Sequence, residues 1–249
     1  MTANGVYVYA IIHADRALPD GVGGVGGPAV TVRTVRQGEI AAVVSEAPAQ
    51  LRARRRDLLA HQDLLLRLTD GGPVLPMRFG MVAPDEETVT AQLGRAESAH
   101  LATLEQLAGR VEVNLKAFPA QDALAALVAE DRNVRRLREE VRRRPDYDAS
   151  VRLGEAVAAA LSRRAAEAGR KALRTLTPLA RSVRPGPEVQ GCAVNVSFLV
   201  DRSDSDSFRA TALGLADEYR DHAELRLAGP LPCYSFVGAE TGPVTAAGV

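Results

Sequence analysis

A run of glycines near the amino terminus has the spacing that some proteins use to bind phosphate. Residues 21–26 read GVGGVG and match the pattern G-x-G-x-x-G. In dinucleotide-binding proteins this pattern opens a helix, whose amino-terminal N–H groups hold the pyrophosphate. Here Gly27 and Pro28 follow, and then a stretch rich in valine and threonine that predicts a strand. We therefore interpret the glycine run as a flexible loop between strands and expect no cofactor.

The side chains that most often bind metals or attack substrates are few and scattered. No two of the four histidines have the spacing that places two metal ligands on one helix face. The histidines are His13, His61, His100 and His222. Two cysteines, Cys192 and Cys233, lie far apart and form no C-x-x-C motif. These patterns predict neither a metal site nor a catalytic nucleophile, and we expect no enzymatic activity.

Two stretches, 52–56 and 135–144, are rich in arginine and resemble anion-binding patches. The second also carries Glu139 and Glu140, and helical neighbours of opposite charge pair with each other in solvent. One interpretation is therefore an ordinary solvated face. The alternative is a surface that binds another, acidic protein.

The stretch 75–80, LPMRFG, places a cation among apolar residues and a proline. Burying an arginine without a partner is costly, so Arg78 must either reach water or find a carboxylate. In one interpretation Arg78 pairs with a carboxylate inside its own domain. In the other, Arg78 and Phe79 are an exposed anchor for a partner, because arginine and aromatic side chains dominate binding hot spots.

The stretch 229–236, GPLPCYSF, contains two prolines, which cannot donate a backbone hydrogen bond. It therefore predicts an edge strand or a fixed extended arm and not a central strand. Tyr234 and Phe236 are two residues apart, so in an extended arm both face one side. The candidate partner-binding residues are Arg78, Phe79, Tyr234 and Phe236.

Composition restricts the function classes further. The chain has 249 residues, of which 46% are hydrophobic and 4% aromatic, and its 31 basic residues balance 31 acidic ones. Nucleic-acid-binding proteins usually carry an excess of positive charge, so we expect no nucleic-acid partner. The apolar run 6–12 is much shorter than the roughly 20 residues of a membrane-spanning helix. The start also lacks the basic region of a secretory signal, so we expect a cytoplasmic protein without membrane association.

The elements that must position these residues follow no regular β-α alternation. The first predicted helix has an apolar face that consists of Leu51, Leu58, Leu59, Leu65 and Leu66. Strands are predicted near 6–12, 29–35, 39–45, 110–118 and 192–200, with helices before and after them. This order favours antiparallel sheets covered by helices, hence an α+β fold in two domains. We place the domains at 1–109 and 110–249, the second with long helices and an extended carboxy-terminal arm.

Four stretches of the chain together resemble the gas vesicle protein F/L family. They are YVYAI at 7–11, AVVS at 42–45, VLPMRFG at 74–80 and GPLPCYSF at 229–236, and they stand in the family's order. The LPMRFG and GPLP-x-YSF stretches are the most specific, and the resemblance covers nearly the whole chain.

The resemblance implies a ferredoxin-like, antiparallel amino-terminal domain followed by a second α+β domain. It also implies a minor, non-enzymatic protein of gas vesicles, the gas-filled protein shells that give some prokaryotes buoyancy. The implied partners are the small hydrophobic shell protein, which this protein would keep from aggregating in early assembly, and other gas vesicle accessory proteins. The implied location includes the gas-facing surface of the vesicle. Two other classes stay open: a ferredoxin-like regulatory module that binds a small ligand, and a hydrolase or transferase, for which no clustered acid–base pair is visible in the sequence.

Overall fold

The structure, a computed structural model, describes residues 5–120 and 123–238. Its strands are β1 (Val6–His13), β2 (Gly23–Gly24), β3 (Gly27–Thr31), β4 (Arg33–Gln37), β5 (Ile40–Glu46), β6 (Leu75–Pro76), β7 (Val82–Ala83), β8 (Arg110–Pro119), β9 (Ser182–Pro185), β10 (Val194–Asp201) and β11 (Ala223–Leu231). Its helices are α1 (Arg55–Asp70), α2 (Glu86–Leu107), α3 (Leu124–Glu130), α4 (Arg132–Arg143), α5 (Tyr147–Leu176) and α6 (Ser205–Glu218). The antiparallel pairing of the strands and the 30 residues of α5 confirm the predicted α+β class with long helices.

Contacts divide the chain into two units, one of which interrupts the other. The first unit contains the residues up to Glu112 and those from Leu231 onward, and the second runs from Val113 to Pro230. The segment after Leu231 therefore groups with the amino-terminal residues, whereas the sequence predicts it as an arm of the second domain. Its contacts with the start of β8 explain the difference, because they join residues more than 120 positions apart. The division into folded domains at Gly109 stays a prediction.

The sheet of the first unit is built around β1. Its strand order is β4-β5-β1-β6, and β7 also pairs with β1. β1 is antiparallel to its neighbours, with Ile11 opposite Ala42 on one side and Leu75 on the other. The unbroken apolar run 6–12 is buried throughout, as such a run predicts. β1 is therefore the centre of this unit, with α1 and α2 packed against it.

The glycine run forms a hairpin that lies on the core of the first unit. β2 pairs with β3 in antiparallel fashion, and a strand follows the run where a dinucleotide site needs a helix. The amide of Val25 donates a hydrogen bond of 2.7 Å to the Tyr9 hydroxyl. A β-carbon at Gly24 would lie 2.9 Å from that hydroxyl oxygen, so this close approach requires glycine. The predicted inter-strand loop is thus a hairpin bonded to the core.

α1 buries a different face from the one that the sequence predicts. Its buried residues are Asp57, His61, Leu64, Leu65 and Leu68. Leu58 and Leu59 are 41% and 54% exposed, so the predicted apolar face is wrong at these two positions. The reason is that Asp57 and His61 make hydrogen bonds inside the unit and therefore occupy the inner side of the helix.

The second unit has the order of elements that defines a ferredoxin-like sheet. Its strand order is β11-β8-β10-β9, and helices connect β8 to β9 and β10 to β11. This is the β-α-β-β-α-β arrangement, with the three helices α3, α4 and α5 at the first crossover. The resemblance implies the ferredoxin-like order for the amino-terminal unit, but there the strands β4 and β5 precede the first helix. The ferredoxin-like sheet therefore belongs to the second unit.

Both long crossover helices of the second unit cover one face of its sheet. A single apolar cluster joins alternate residues of β8 and β10 to α5 and α6, with the rings of Phe198 and Phe208 5.2 Å apart. α5 approaches the sheet at Gly169, where a β-carbon would lie 2.6 Å from the side chain of Val194. β11 lies at the edge of this sheet, as the prolines near its end predict. In the part of the chain that the structure describes, no helix is both long enough and apolar enough to cross a membrane.

Candidate functional site

The stretch 75–80 and the end of the stretch 229–236 meet at one place in the first unit. Phe79 and Tyr234 both pack, half-buried, against its apolar core. His61 contacts both, with its ring centroid 5.8 Å from that of Phe79 and its Nε2 3.5 Å from the Tyr234 hydroxyl oxygen. The aromatic cluster, as we call this group, consists of Tyr7, His61, Phe79 and Tyr234.

The hydrogen bonds of His61 define its tautomer. Nδ1 lies 3.0 Å from the Tyr7 hydroxyl oxygen, and Nε2 lies 3.0 Å from the Met77 carbonyl oxygen. Because a carbonyl only accepts, Nε2 carries the hydrogen and Nδ1 accepts from the Tyr7 O–H. The amide of Gly80 donates to the same tyrosine hydroxyl over 3.1 Å. His61 and Tyr7 thereby hold the backbone of the stretch 75–80 near both of its ends.

Burial determines the charge state of the aromatic cluster. His61 is 3% exposed, and burial lowers its pKa, so the ring is neutral at neutral pH. Burial raises the pKa of Tyr7, against the opposing effect of the Gly80 amide. Burial, assisted by the charge of Glu112, raises the pKa of Tyr234 to about 12. All three side chains therefore act as uncharged hydrogen-bonding groups.

The aromatic cluster contains acid–base residue types, but its geometry suits a structural task. A general base must reach the proton that it removes from a substrate. Both nitrogens of His61 already have protein partners, and the side chain is almost fully buried. Among residues 5–120 and 123–238, no group of three or more His, Cys, Asp or Glu side chains could hold a metal ion. What this arrangement can do is fasten two distant segments of the chain to one helix.

The stretch 229–236 ends in a turn and not in the predicted extended arm. Residues Tyr234–Phe236 form a short 3-10 helix. The backbone amide and the hydroxyl of Ser235 donate hydrogen bonds of 2.8 and 2.7 Å to the two carboxylate oxygens of Glu112. Because the turn winds the chain, Tyr234 and Phe236 do not share one face of an extended strand. Phe236 is only 7% exposed, so its side chain is buried.

Arg78 is the exposed member of the candidate set. Its side chain reaches solvent, and it makes no ion pair or hydrogen bond with any residue that the structure describes. Arg78 therefore has no carboxylate partner among the described residues and is exposed, and its role as an anchor for a partner protein stays a prediction. Arg78 and the partly accessible Phe79 and Tyr234 remain available to a partner, whereas Phe236 does not.

The buried polar residues are the part of this site that sequence patterns miss. A strand places Tyr7 and Tyr9 on one face, and a helix places Asp57 and His61 on one face. The two-residue spacing of the tyrosines and the four-residue spacing of Asp57 and His61 are the sequence signals that could have revealed a polar group in the core of the first unit. Glu112 offers no such signal, because its hydrogen-bond partner lies 123 residues away.

Comparison with known proteins identifies the family. The model of the family described as gas vesicle synthesis protein GvpL/GvpF matches residues 5–238. The chain belongs to this family. Gas vesicle protein F of a Streptomyces species is 42% identical over 235 residues, which cover 93% of this chain and 98% of that protein. Gas vesicle protein L of the same organism is 31% identical over 257 residues, with 93% and 92% covered.

Solved structures of GvpF share the fold. The crystal structure of gas vesicle protein GvpF from an Anabaena species has a TM-score of 0.74 at 24% identity and covers 94% of this chain and 98% of that one. That of GvpF from Microcystis aeruginosa has a TM-score of 0.72 at 21% identity, with 94% and 99% covered. The resemblance in the sequence is thus confirmed. Membership of GvpL/GvpF assigns the chain to gas vesicle assembly, in a family of gas vesicle proteins and not of enzymes.

Proposed function

We propose that this member of GvpL/GvpF is a non-catalytic assembly protein that binds the small hydrophobic shell protein and keeps it from aggregating before it joins the vesicle. Family membership supports the role in assembly. A shell subunit that walls off gas needs an apolar surface, and in water such a surface and any free strand edge promote aggregation. A partner that covers this surface until assembly delays aggregation without making or breaking a bond.

The observation that carries this proposal is the convergence of two family stretches at the aromatic cluster. Phe79 and Tyr234 come from segments more than 150 residues apart, and both contact His61. Their half-buried rings and the exposed Arg78, which has no ion-pair partner among the described residues, have the composition of a binding hot spot. In this proposal Arg78, Phe79 and Tyr234 contact the shell subunit, and Phe236 supports their positions from inside.

The proposed contact also has a consequence for location. The apolar side of the shell faces the gas, because water must be kept out. A protein that covers that side before assembly joins the vesicle on its gas-facing surface.

Co-expression with the shell subunit and affinity capture on this chain tests the contact. We expect Arg78→Ala and Tyr234→Ala each to capture at least about fivefold less shell subunit than the wild type, as removal of a hot-spot side chain does. Tyr234→Phe keeps the ring and should capture nearly normally.

The matched control is Arg36→Ala, which removes another exposed arginine of the first unit. It should capture as much shell subunit as the wild type. Thermal unfolding of each variant establishes that it is folded. Undiminished capture by folded Arg78→Ala and Tyr234→Ala would remove this surface from the contact.

A further inference from the structure

One face of α4 carries an unbalanced positive charge. A groove along this helix is lined by two groups of arginines, with Glu139 and Glu140 between them. The arginines are Arg132, Arg135 and Arg136 toward one end and Arg143 and Arg144 at the other. All five are exposed. The face is therefore positive at its two ends and close to neutral in the middle.

The carboxylates near this face are already engaged. Each described acidic residue between positions 123 and 144 lies within ion-pair distance of an arginine. The pairs are Glu130–Arg164, Asp131–Arg163, Glu139–Arg142, Glu140–Arg136 and Glu140–Arg152. No described carboxylate between positions 123 and 144 is left over for the remaining arginines.

Four arginines of the face remain without a charged partner in the described chain. Arg135 donates a hydrogen bond of 2.8 Å to the carbonyl oxygen of Ala129. This contact pairs one N–H group but does not neutralise the positive charge. Arg132, Arg143 and Arg144 make no ion pair with any described residue. Arg132 and Arg143, one from each free group, are eleven residues apart, which is about 16 Å along a helix.

The amino end of α4 is an unfavourable place for cations. The first turn of a helix carries a partial positive charge, which stabilises anions and destabilises cations. The first turn of α4 contains no acidic residue, and its N-cap Asp131 accepts from two backbone amides. Arg132 and Arg135 therefore cost local stability there, and a bound anion would offset that cost.

We propose that this face of α4 binds a segment of a partner protein that carries two acidic clusters about 16 Å apart, with a stretch of little charge between them. The acidic clusters pair with the free arginines at the two ends of the helix face. Glu139 and Glu140 keep a continuously acidic segment from binding equally well. This surface lies in the second unit and does not depend on the shell contact proposed above.

The chemistry of the face favours a protein partner over other polyanions. A nucleic acid presents phosphates at regular short spacing, so some would lie against the two central glutamates, and the chain has no net positive charge. A membrane needs an apolar helix face to insert, but Val134 and Leu137 of α4 are buried inside the unit. Tyr147 follows three residues after Arg144 and is 81% exposed, and tyrosine with arginine is typical of protein interfaces.

Two synthetic peptides of equal composition and charge test the proposal on the full chain. Both have 20 residues on a fluorescent, alanine-rich helical framework. One carries two Glu-Glu pairs eleven residues apart, and the other carries the four glutamates in one block. We expect fluorescence anisotropy to give at least about fivefold tighter binding for the spaced peptide, and this preference to weaken with added salt.

The variant Arg132→Gln/Arg143→Gln/Arg144→Gln should lose the preference for the spaced peptide. Its matched control is Arg52→Gln/Arg54→Gln/Arg55→Gln, which removes the same charge from the other arginine-rich stretch and should keep the preference. All six positions are exposed, so thermal unfolding should show both variants folded.

Three results would overturn the proposal. The first is equal affinity of the wild type for both peptides, or an equal loss of the preference for the spaced peptide in the α4 variant and in its control. The second is that the wild type binds a 20-nucleotide single strand more tightly than the spaced peptide and that the α4 variant abolishes this binding. That result would assign the face to nucleic acid. The third is a wild-type dimer in sedimentation velocity that the α4 variant dissociates, which assigns the face to a second copy of the chain.

Discussion

His61 fastens three separate parts of the first unit at one point. Its two nitrogens engage the Tyr7 hydroxyl from β1 and the Met77 carbonyl, and the Tyr234 hydroxyl lies 3.5 Å from Nε2. This arrangement requires the neutral ring, because a protonated histidine has no acceptor for the Tyr7 O–H. A single buried imidazole thus links the position of the proposed binding residues to pH.

The first unit should therefore lose stability in acid. Burial lowers the pKa of His61 and of His100 in the folded chain, so between each lowered value and the ordinary value near 6.5 only the unfolded chain binds the proton. We predict that the free energy of unfolding falls as the pH drops from 7.5 through 6.5 and below, by about 1.4 kcal/mol per unit of pKa difference. Urea unfolding at several pH values measures this.

The variants His61→Gln and His100→Gln separate the two contributions. Each should show a shallower dependence of the unfolding free energy on pH than the wild type, and His61→Gln should also lower stability at pH 7.5, since Tyr7 loses its acceptor. Identical pH slopes in the wild type and both variants would exclude the buried histidines as the cause.

At the scale of single elements, the carboxy-terminal turn depends on one buried carboxylate. Glu112 is 4% exposed, and it accepts from both the amide and the hydroxyl of Ser235. In Glu112→Gln one of the two acceptor oxygens is replaced by an amide NH2 group, which then faces the N–H or O–H donor of Ser235. We predict a loss of about 1–3 kcal/mol in unfolding free energy and faster hydrogen exchange of the Ser235 amide.

Glu105→Gln is the control for this element, because it makes the same substitution at an exposed position of α2. It should leave both the stability and the Ser235 exchange rate unchanged. Normal exchange of Ser235 in Glu112→Gln would mean that the turn is held by its apolar side chains alone.

Elements with local signals were predictable from the sequence, and elements fixed by distant contacts were not. The start of α2 has a local signal, because its N-cap Asp85 accepts a hydrogen bond from the Thr88 amide only three residues away. The inner face of α1 was not predictable, because the hydrogen-bond partners that Asp57 and His61 meet inside the unit lie 16 to 54 residues away. For the same reason the stretch around Phe79 was recognisable as unusual, but its meeting with Tyr234 was not.

For the whole molecule, the proposed location on the gas side of the shell gives a direct expectation. The chain has 31 lysines and arginines, so it offers many sites to trypsin. We predict that trypsin added to intact isolated vesicles leaves this chain uncut, and that the same digestion degrades it once pressure has collapsed the vesicles.

An externally added tagged copy of the chain serves as the control for protease activity in the intact sample. It should be digested in both preparations. Complete digestion of the vesicle-associated chain before collapse would place it on the water-facing side and contradict the proposed location.

The interrupted path of the first unit also bears on how the protein is made. Glu112 leaves the ribosome long before Ser235, and the 123 residues between them take about 6 to 25 s to translate at roughly 5–20 residues per second. Throughout that interval the nascent first unit lacks both donors to this carboxylate, while the ferredoxin-like sheet is being completed. A polypeptide terminated early, anywhere inside the second unit, therefore carries an unfinished first unit and is a natural substrate for cellular proteolysis.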